Sequence, residues 1–314
     1  MTNTAKSNAL HFGLLAALAI AFFILPTYHS GNLARIMILA IYAMGYNVLF
    51  GYTGLLSLGH ALFFSAGMYG LGLTMHLGGW SPAPAFLAAL IASAIVATVI
   101  GFLVLRTTGV AFMIVTLMFA QAGYLTILYF GTYTRGDEGF ALKQATRQLI
   151  GLDLTDPIVR YYTALILFAT ALLLLAYIIR SPFGRALIAI RENEERARML
   201  GYNVTAIKLK AVILSGIISG ASGAAYALLF GYAGATFATV QYSILPLLWV
   251  LVGGAGTTTG AFVGVLFMTY LIDYASGQTN AYLIVVGVVL VAVTLFLPHG
   301  IMGTLRNKYA GWLP

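Results

Sequence analysis

A glycine-rich stretch, residues 51–67, holds the polar side chains of this sequence that are best placed to meet a solute. Ser57, His60 and Ser65 stand there beside the apolar rings of Phe63 and Phe64. The stretch separates two apolar runs and is too short for a solvated loop. Unwound backbone at membrane depth is tolerated only where it is buried in protein or lines a cavity. Two readings stay open: a path for a small zwitterion with an apolar side chain, or a packing turn in which His60 bonds to backbone.

The residues predicted to line such a path share this stretch and its small or polar character. They are Gly51, Tyr52, Gly54, Ser57, Gly59, His60, Phe63 and Phe64.

Other chemistry is sparse in this sequence. The five histidines are scattered without ligand spacing, no carboxylate pair is legible, and cysteine is absent. Residues 253–260 form a second glycine-rich turn, but no lysine follows it, so a tight turn between helices is favoured over a phosphate-binding loop. We therefore predict no metal site, no catalytic residue and no ATP hydrolysis by this chain.

Composition defines the class of protein. Hydrophobic residues make up 61% of the chain and charged residues 8%, whereas soluble domains carry about 25% charged residues. We predict an all-α polytopic membrane protein with a single transmembrane domain over residues 1–314. The net charge of +8 is spread over loops, so it does not indicate nucleic-acid binding.

Ten apolar runs are long enough to be spans or half-inserted segments. They cover residues 11–27, 33–51, 58–77, 83–105, 109–130, 160–179, 206–231, 238–253, 260–275 and 281–298. The first is read as a retained span, because no small-residue cleavage site follows it. The runs 58–77 and 238–253 are the weakest and could be re-entrant or broken.

Basic residues predict the orientation of these spans. With both termini in the cytoplasm, eleven of the 16 lysines and arginines fall inside. The loop 131–160 then lies outside, where it could receive a binding protein or simply cover that face. Asp273 is the only acid within a predicted span, so it could handle protons or be solvated at the outer interface.

Residues 180–204 hold eight of the 24 formally charged residues, between long apolar runs. Ser181 can cap a helix here, and Gly201 can end it. Glu192 with Arg196, and Glu194 with Arg198, are spaced as helix ion pairs. Leu187, Ile190, Ala197 and Leu200 form a narrow apolar stripe. An amphipathic helix is predicted that either docks into a groove of a soluble partner or lies solvated at the headgroups.

Two hexapeptides suggest an internal repeat. Residues 49–54, Leu-Phe-Gly-Tyr-Thr-Gly, recur 180 positions later as residues 229–234, Leu-Phe-Gly-Tyr-Ala-Gly, with five of six positions identical. In the predicted topology they lie at opposite faces. An inverted repeat of five plus five spans is predicted, an architecture common among transporters, although one short match between abundant residues could arise by chance.

Three motifs resemble the permease family of branched-chain amino acid ABC importers. They are residues 51–61; residues 180–187, running on to 191–197 and 200–204; and residues 253–257, with 295–300 near the end. The central motif is similar to the M-type subunit more than to its H-type partner. The similarity covers about residues 30–305. Ala255 departs from the pattern, where a basic or larger residue is expected.

The resemblance implies a set of partners and a location. They are an H-type permease subunit, two cytoplasmic ATPases that use ATP and Mg, and a periplasmic binding protein, in a bacterial inner membrane. No cofactor is implied for this chain itself. Relatives import urea or short amides, so the cargo stays open. A self-sufficient secondary transporter using Asp273 or His60 remains an alternative, and a membrane enzyme is disfavoured.

The resemblance also makes residues 180–204 a coupling helix seated on an ATPase. The residues implied in coupling are Arg185, Arg191, Glu192, Asn193, Glu194, Glu195, Arg196, Ala197, Leu200 and Gly201.

Overall fold

The computed structural model describes residues 3–149 and 151–308, so the chain ends and residue 150 of the predicted domain lie outside it. Helices dominate. They are α1 (Asn3–Ile24), α2 (Thr27–Asn47), α3 (His60–His76), α4 (Pro82–Val104), α5 (Gly109–Tyr129), α6 (Gly131–Thr134), α7 (Pro157–Arg180), α8 (Pro182–Glu192), α9 (Glu194–Met199), α10 (Val204–Phe230), α11 (Val240–Gly253), α12 (Gly260–Gln278), α13 (Tyr282–Phe296) and α14 (Gly300–Lys308).

Short irregular elements complete the described chain. A π-helical turn, Val48–Tyr52, continues α2, and 3-10 turns cover Gln144–Thr146 and Ala235–Ala238. Four two-residue strands are β1 (Phe140–Ala141), β2 (Gln148–Leu149), β3 (Leu152–Asp153) and β4 (Tyr232–Ala233). Strand β1 pairs antiparallel with β4, and β2 with β3.

Eight described helices are long and apolar enough to cross a membrane, which confirms an all-α polytopic membrane protein. These helical stretches are Lys6–Ile24, Thr27–Tyr52, Pro82–Val104, Gly109–Tyr129, Pro157–Arg180, Val204–Phe230, Gly260–Gln278 and Tyr282–Lys308. The second includes the π-helical turn after α2, and the last joins α13 and α14. The two weakest predicted spans correspond to α3, with 17 residues, and α11, with 14. At 1.5 Å per residue these helices are about 26 and 21 Å long, short of the roughly 30 Å hydrocarbon core.

Local chemistry sets several helix ends. Asp156 caps α7, because its carboxylate accepts a hydrogen bond from Ile158 N at 2.7 Å, and Pro157 occupies the first helical position. At the far end of α10, Gly231 takes a left-handed conformation with φ of 72° and stops the helix.

Contacts near the helix ends define two opposite faces. On the basic face, Arg180 donates to Ser7 Oγ, and His11 is 2.9 Å from Thr258 Oγ1. On the loop face, Leu142 N donates to Gly231 O, and Tyr28 donates to the Asp273 carboxylate. Residues 180–210 and 253–260 therefore share the basic face, and residues 131–157 lie on the loop face. The sidedness of these faces in a membrane stays a prediction.

The positions of the helices along the chain match the predicted inverted repeat. His60 begins α3 nine residues after Gly51, and Val240 begins α11 nine residues after Gly231. Helices α3 and α4 pack on α10, whereas α11 and α12 pack on α2. This reciprocal packing is the arrangement that an inverted repeat of five plus five helices produces. The two hexapeptides lie on opposite faces, as the repeat requires.

Helices α2 and α10 form the centre of the bundle and lie mostly buried. Ser222 and Ser215 of α10 donate hydrogen bonds to Ile38 O and Gly45 O of α2, each at 2.6 Å. Helix α3 also packs closely on α10, because the residues at their contact are small. A β-carbon added to Gly67 would lie 1.9 Å from Gly220 O.

We expect Gly67→Ala to lower the apparent melting temperature of the purified chain, because α3 and α10 must separate to admit the methyl group. Overpacking of this kind costs about 1–3 kcal/mol. Gly287→Ala is the matched control, since no atom of the described residues lies within 4 Å of the added carbon in α13. Equal melting temperatures for the two variants in detergent would contradict this packing.

Candidate transport path and coupling segment

The glycine-rich stretch breaks α2 from α3 without leaving the protein interior. After the π-helical turn, Thr53 Oγ1 donates to Val48 O at 2.8 Å, and Leu55 N donates to Leu49 O. Gly54 takes φ of 76°, which favours glycine because it has no β-carbon. The following backbone is not helical until His60, and Leu58 N donates to Thr116 Oγ1 at 3.1 Å. Side-chain and helical-turn contacts thus provide hydrogen-bond partners for part of this unwound backbone.

His60 is fully buried and bonds to a side chain, not to the backbone. Its Nε2 lies 2.8 Å from Ser215 Oγ, and that hydroxyl donates its hydrogen to Gly45 O. Since a hydroxyl has one hydrogen, Nε2 must be the donor to Ser215. The buried Nδ1 atom has no hydrogen-bond partner among the described residues. The hypothesis of a packing turn, in which His60 bonds to the backbone, therefore predicted the wrong hydrogen-bond partner for His60.

The predicted path residues lie largely inside this chain. Gly54 is exposed, whereas the other seven are buried: Gly51, Tyr52, Ser57, Gly59, His60, Phe63 and Phe64. The fold brings these residues together around the break. That they line a path for a solute stays a prediction.

The two short helices begin beside each other. Ala61 N, at the start of α3, donates to Ser243 Oγ, near the start of α11, at 2.9 Å. Aromatic rings surround this contact: the Phe64 ring lies 4.8 Å from that of Tyr42 and 5.1 Å from that of Tyr242. Helix N-termini carry partial positive charge. Two such ends therefore meet inside the bundle, as the broken helices of transporters do.

A cluster of polar contacts, which we call the junction, joins the break to the second glycine-rich turn on the basic face. The buried Asn47 amide donates to Thr257 O and accepts from Gly256 N, each at 2.9 Å. The Arg191 guanidinium donates to Gly51 O. Arg306 of α14 approaches Gly256 O at 3.5 Å. Asn47 and Arg306 were not predicted, because their partners lie 210 and 50 positions away and no local pattern pairs them.

The charged segment is two helices, and the prediction of one helix was wrong. Asn193 takes an extended conformation between α8 and α9, and its side chain caps α9 by accepting from Arg196 N. The Glu192–Arg196 pair therefore does not form. The predicted Ser181 cap forms at 3.4 Å, and Gly201 ends the segment with φ of 86°.

Glu194 organises the second half of the segment. It pairs with Arg198 at 3.1 Å, as predicted, and also with Lys208 Nζ of α10 at 2.5 Å. Ile190, Ala197 and Val204 form a small buried core. Leu200, expected in the apolar stripe, is instead 71% exposed, beside Met199 at 84%. The charged segment thus exposes two neighbouring apolar side chains, Met199 and Leu200.

The implied coupling residues divide by exposure. Arg185, Arg191, Glu192, Asn193, Glu195, Arg196, Leu200 and Gly201 are exposed, Glu194 is half-buried and Ala197 is buried. A cavity of about 360 Å³ lies between this segment, residues 53–55 and residues 105–109. Arg191 lines that cavity and two others. It is therefore the residue of the charged segment that reaches the junction.

The loop-face candidates have defined surroundings. Asp273 accepts a hydrogen bond from Tyr28 at 2.6 Å near the end of α12. In the loop 131–160, hydrogen bonds from the Thr155 hydroxyl and amide hold the pKa of Asp153 below its usual value. The loop packs on the end of α10 through β1 and β4. A role for either in transport or in binding a partner stays a prediction.

Long apolar helices enclose two short helices, α3 and α11, each of which begins after a stretch of unwound backbone. This arrangement is found in membrane transport proteins. The family described as "Branched-chain amino acid transport system / permease component" matches residues 28–294, and the chain belongs to this family.

Individual relatives agree with this assignment. The chain is 28% identical to the high-affinity branched-chain amino acid transport system permease protein LivM of Salmonella typhimurium, over 98% of this chain and 77% of that protein. It is also 28% identical to LivM of Escherichia coli, over 94% and 75%. The autoinducer 2 import system permease protein LsrC of Klebsiella pneumoniae is 31% identical, but over 29% and 28%. No solved structure matches the chain.

Proposed function

We propose that this chain is a transmembrane permease subunit of an ATP-driven importer for branched-chain amino acids. The observation that carries the proposal is similarity to LivM over nearly the whole chain, which includes both broken helices and the charged segment. The match to LsrC is shorter and covers 29% of this chain.

The proposal includes partners and a location. An H-type permease subunit, two ATPases and a periplasmic binding protein would complete the importer in a bacterial inner membrane. The basic face would be cytoplasmic, because residues 180–210 carry much of the positive charge and cytoplasmic loops are enriched in lysine and arginine. The loop face would then meet the binding protein.

The charged segment would couple the permease to an ATPase. Met199 and Leu200 are exposed beside the charges of α9, which suits insertion into an apolar groove with a polar rim. Arg191, at the end of α8, would carry movement of the segment to Gly51 O and the junction. Cargo would pass near residues 51–67 and the start of α11, along the interface of the two permease subunits.

The function is tested by reconstituting the chain with its H-type partner, ATPases and binding protein in proteoliposomes. We expect leucine accumulation that requires ATP and all four kinds of component. Uptake by this chain alone, driven by an ion gradient, would favour a secondary transporter and contradict the proposal. Urea and a short amide, offered in parallel, test the cargo.

We expect Arg191→Gln to lower leucine uptake about tenfold while ATP hydrolysis falls much less. The substitution removes the charged contact to Gly51 O, worth about 1.5–3 kcal/mol for a charge-assisted bond. The measurement is the number of leucine molecules taken up per ATP hydrolysed.

Lys210→Gln is the control for this ratio. Lys210 is an exposed cation of the same face, lies outside the residues implied in coupling, and its side chain makes no hydrogen bond within the described part of the chain. The control should keep the ratio of the unsubstituted complex. A ratio that falls equally in both variants would show that Arg191 has no special part in coupling.

A further inference from the structure

An arginine–aromatic cluster lies towards the loop-face end of α10. Arg35 of α2 and Arg160 of α7 both approach the ring of Phe230, with Cζ atoms 5.5 and 5.9 Å from its centroid. The Tyr226 ring is 4.7 Å from that of Phe230 and 5.0 Å from that of Phe237. These five residues bring two guanidinium groups over a connected apolar surface.

The two arginines retain capacity to bind an anion. Among the described side chains, ion pairs within 4.0 Å involve only Glu194, on the opposite face. The Nε atom of Arg160 is buried without a hydrogen-bond partner in residues 3–149 and 151–308. A third cation, Arg147, is directed instead at Leu228 O and Leu229 O, at 3.5 and 3.4 Å. Arg147 thus interacts with the carbonyl end of α10, whereas Arg35 and Arg160 have no acidic partner in the described part of the chain.

The depth of Arg35 argues against a lipid-facing role. It lies eight residues after Thr27, about 12 Å along α2 at 1.5 Å per residue. Its side chain is exposed, although its neighbours Ala34 and Ile36 are buried. Ionisable side chains inside a membrane almost always face a water-filled cavity or a protein partner. This side of α2 and α10 therefore fits the wall of an aqueous vestibule.

We propose that the arginine–aromatic cluster is a binding site for the amino acid on its way into the permease. Arg35, with Arg160, would hold the carboxylate, because a guanidinium donates two parallel hydrogen bonds to it. Phe230, Tyr226 and Phe237 would receive a branched apolar side chain. This inference rests on the proposed function and adds a site to it.

The position of the cluster suits an entry site. Its aromatic surface continues inward, since Phe237 lies 5.0 Å from Tyr242 and Tyr242 lies 5.1 Å from Phe64, ring to ring. Tyr242 and Phe64 adjoin the place where α3 and α11 begin, marked by the bond between Ala61 N and Ser243 Oγ. An amino acid released from the cluster would thus move towards the two helix N-termini.

The test uses the complete importer in proteoliposomes with Arg35→Gln, Arg35→Lys and Phe230→Leu. We expect Arg35→Gln to lower leucine uptake about tenfold or more, as loss of a charge-assisted contact predicts. Arg35→Lys should recover part of the uptake, since it keeps the charge without the planar fork. Phe230→Leu should lower uptake less than Arg35→Gln does. Arg106→Gln is the control, an exposed arginine of the opposite face that lies outside the coupling residues.

A second readout separates cargo binding from partner docking. The affinity of the amino-acid-loaded binding protein for each variant complex is measured directly, together with the ATPase stimulation that it produces. We expect both to match the unsubstituted complex. Weaker docking in Arg35→Gln would assign Arg35 to the binding protein and overturn the proposal. Unchanged uptake in Arg35→Gln would also overturn it, as for an arginine that merely reaches lipid headgroups.

Uptake by the unsubstituted complex distinguishes failure of the proposed function from failure of the proposed binding site. If it shows no ATP-driven leucine uptake, the proposed function fails. If it takes up leucine and Arg35→Gln does so equally well, only the binding site fails.

Discussion

The side chain of Asn47 makes the contact on which the rest of the arrangement depends. Its amide is buried and uses both a donor and an acceptor on the turn between α11 and α12. A buried amide left unpaired costs about 1–3 kcal/mol, so this geometry is strongly preferred. The contact fastens the end of α2 to the opposite half of the repeat. Because Arg191 bonds to Gly51 O four residues later, the charged segment is held by the same junction.

The junction matters because the elements that it joins begin or end at unwound backbone. Helices α2 and α10 form a buried frame, fastened by serine hydroxyls and by glycines that admit neighbouring backbone. The short helices α3 and α11 are embedded in that frame and start side by side. A displacement of the charged segment therefore has a short covalent and hydrogen-bonded route to the break. The frame itself need not unfold for the break to move.

Several features could be predicted from the sequence because local chemistry decides them. Hydropathy located the spans, serine and glycine marked the limits of the charged segment, and the hexapeptide spacing matched the positions of the two short helices. The break at Asn193 was missed because the surrounding charges suit a continuous helix, although asparagine is also a good cap. The depth of Arg35 was missed because the predicted span began at residue 33, which put Arg35 at its end, whereas α2 begins at Thr27. The junction depends on contacts between residues 50 to 210 positions apart and leaves no local signal.

Amide hydrogen exchange in the proposed importer, assembled with its ATPases, tests the central claim most directly, which is that the charged segment and the break move as one unit. Exchange is followed in peptides covering residues 48–59, with the ATPases nucleotide-free and with a non-hydrolysable ATP analogue bound. The account predicts that nucleotide changes exchange in these peptides as well as in residues 194–202, although nucleotide binds to a different chain. A change confined to residues 194–202, with residues 48–59 unaffected, would contradict it.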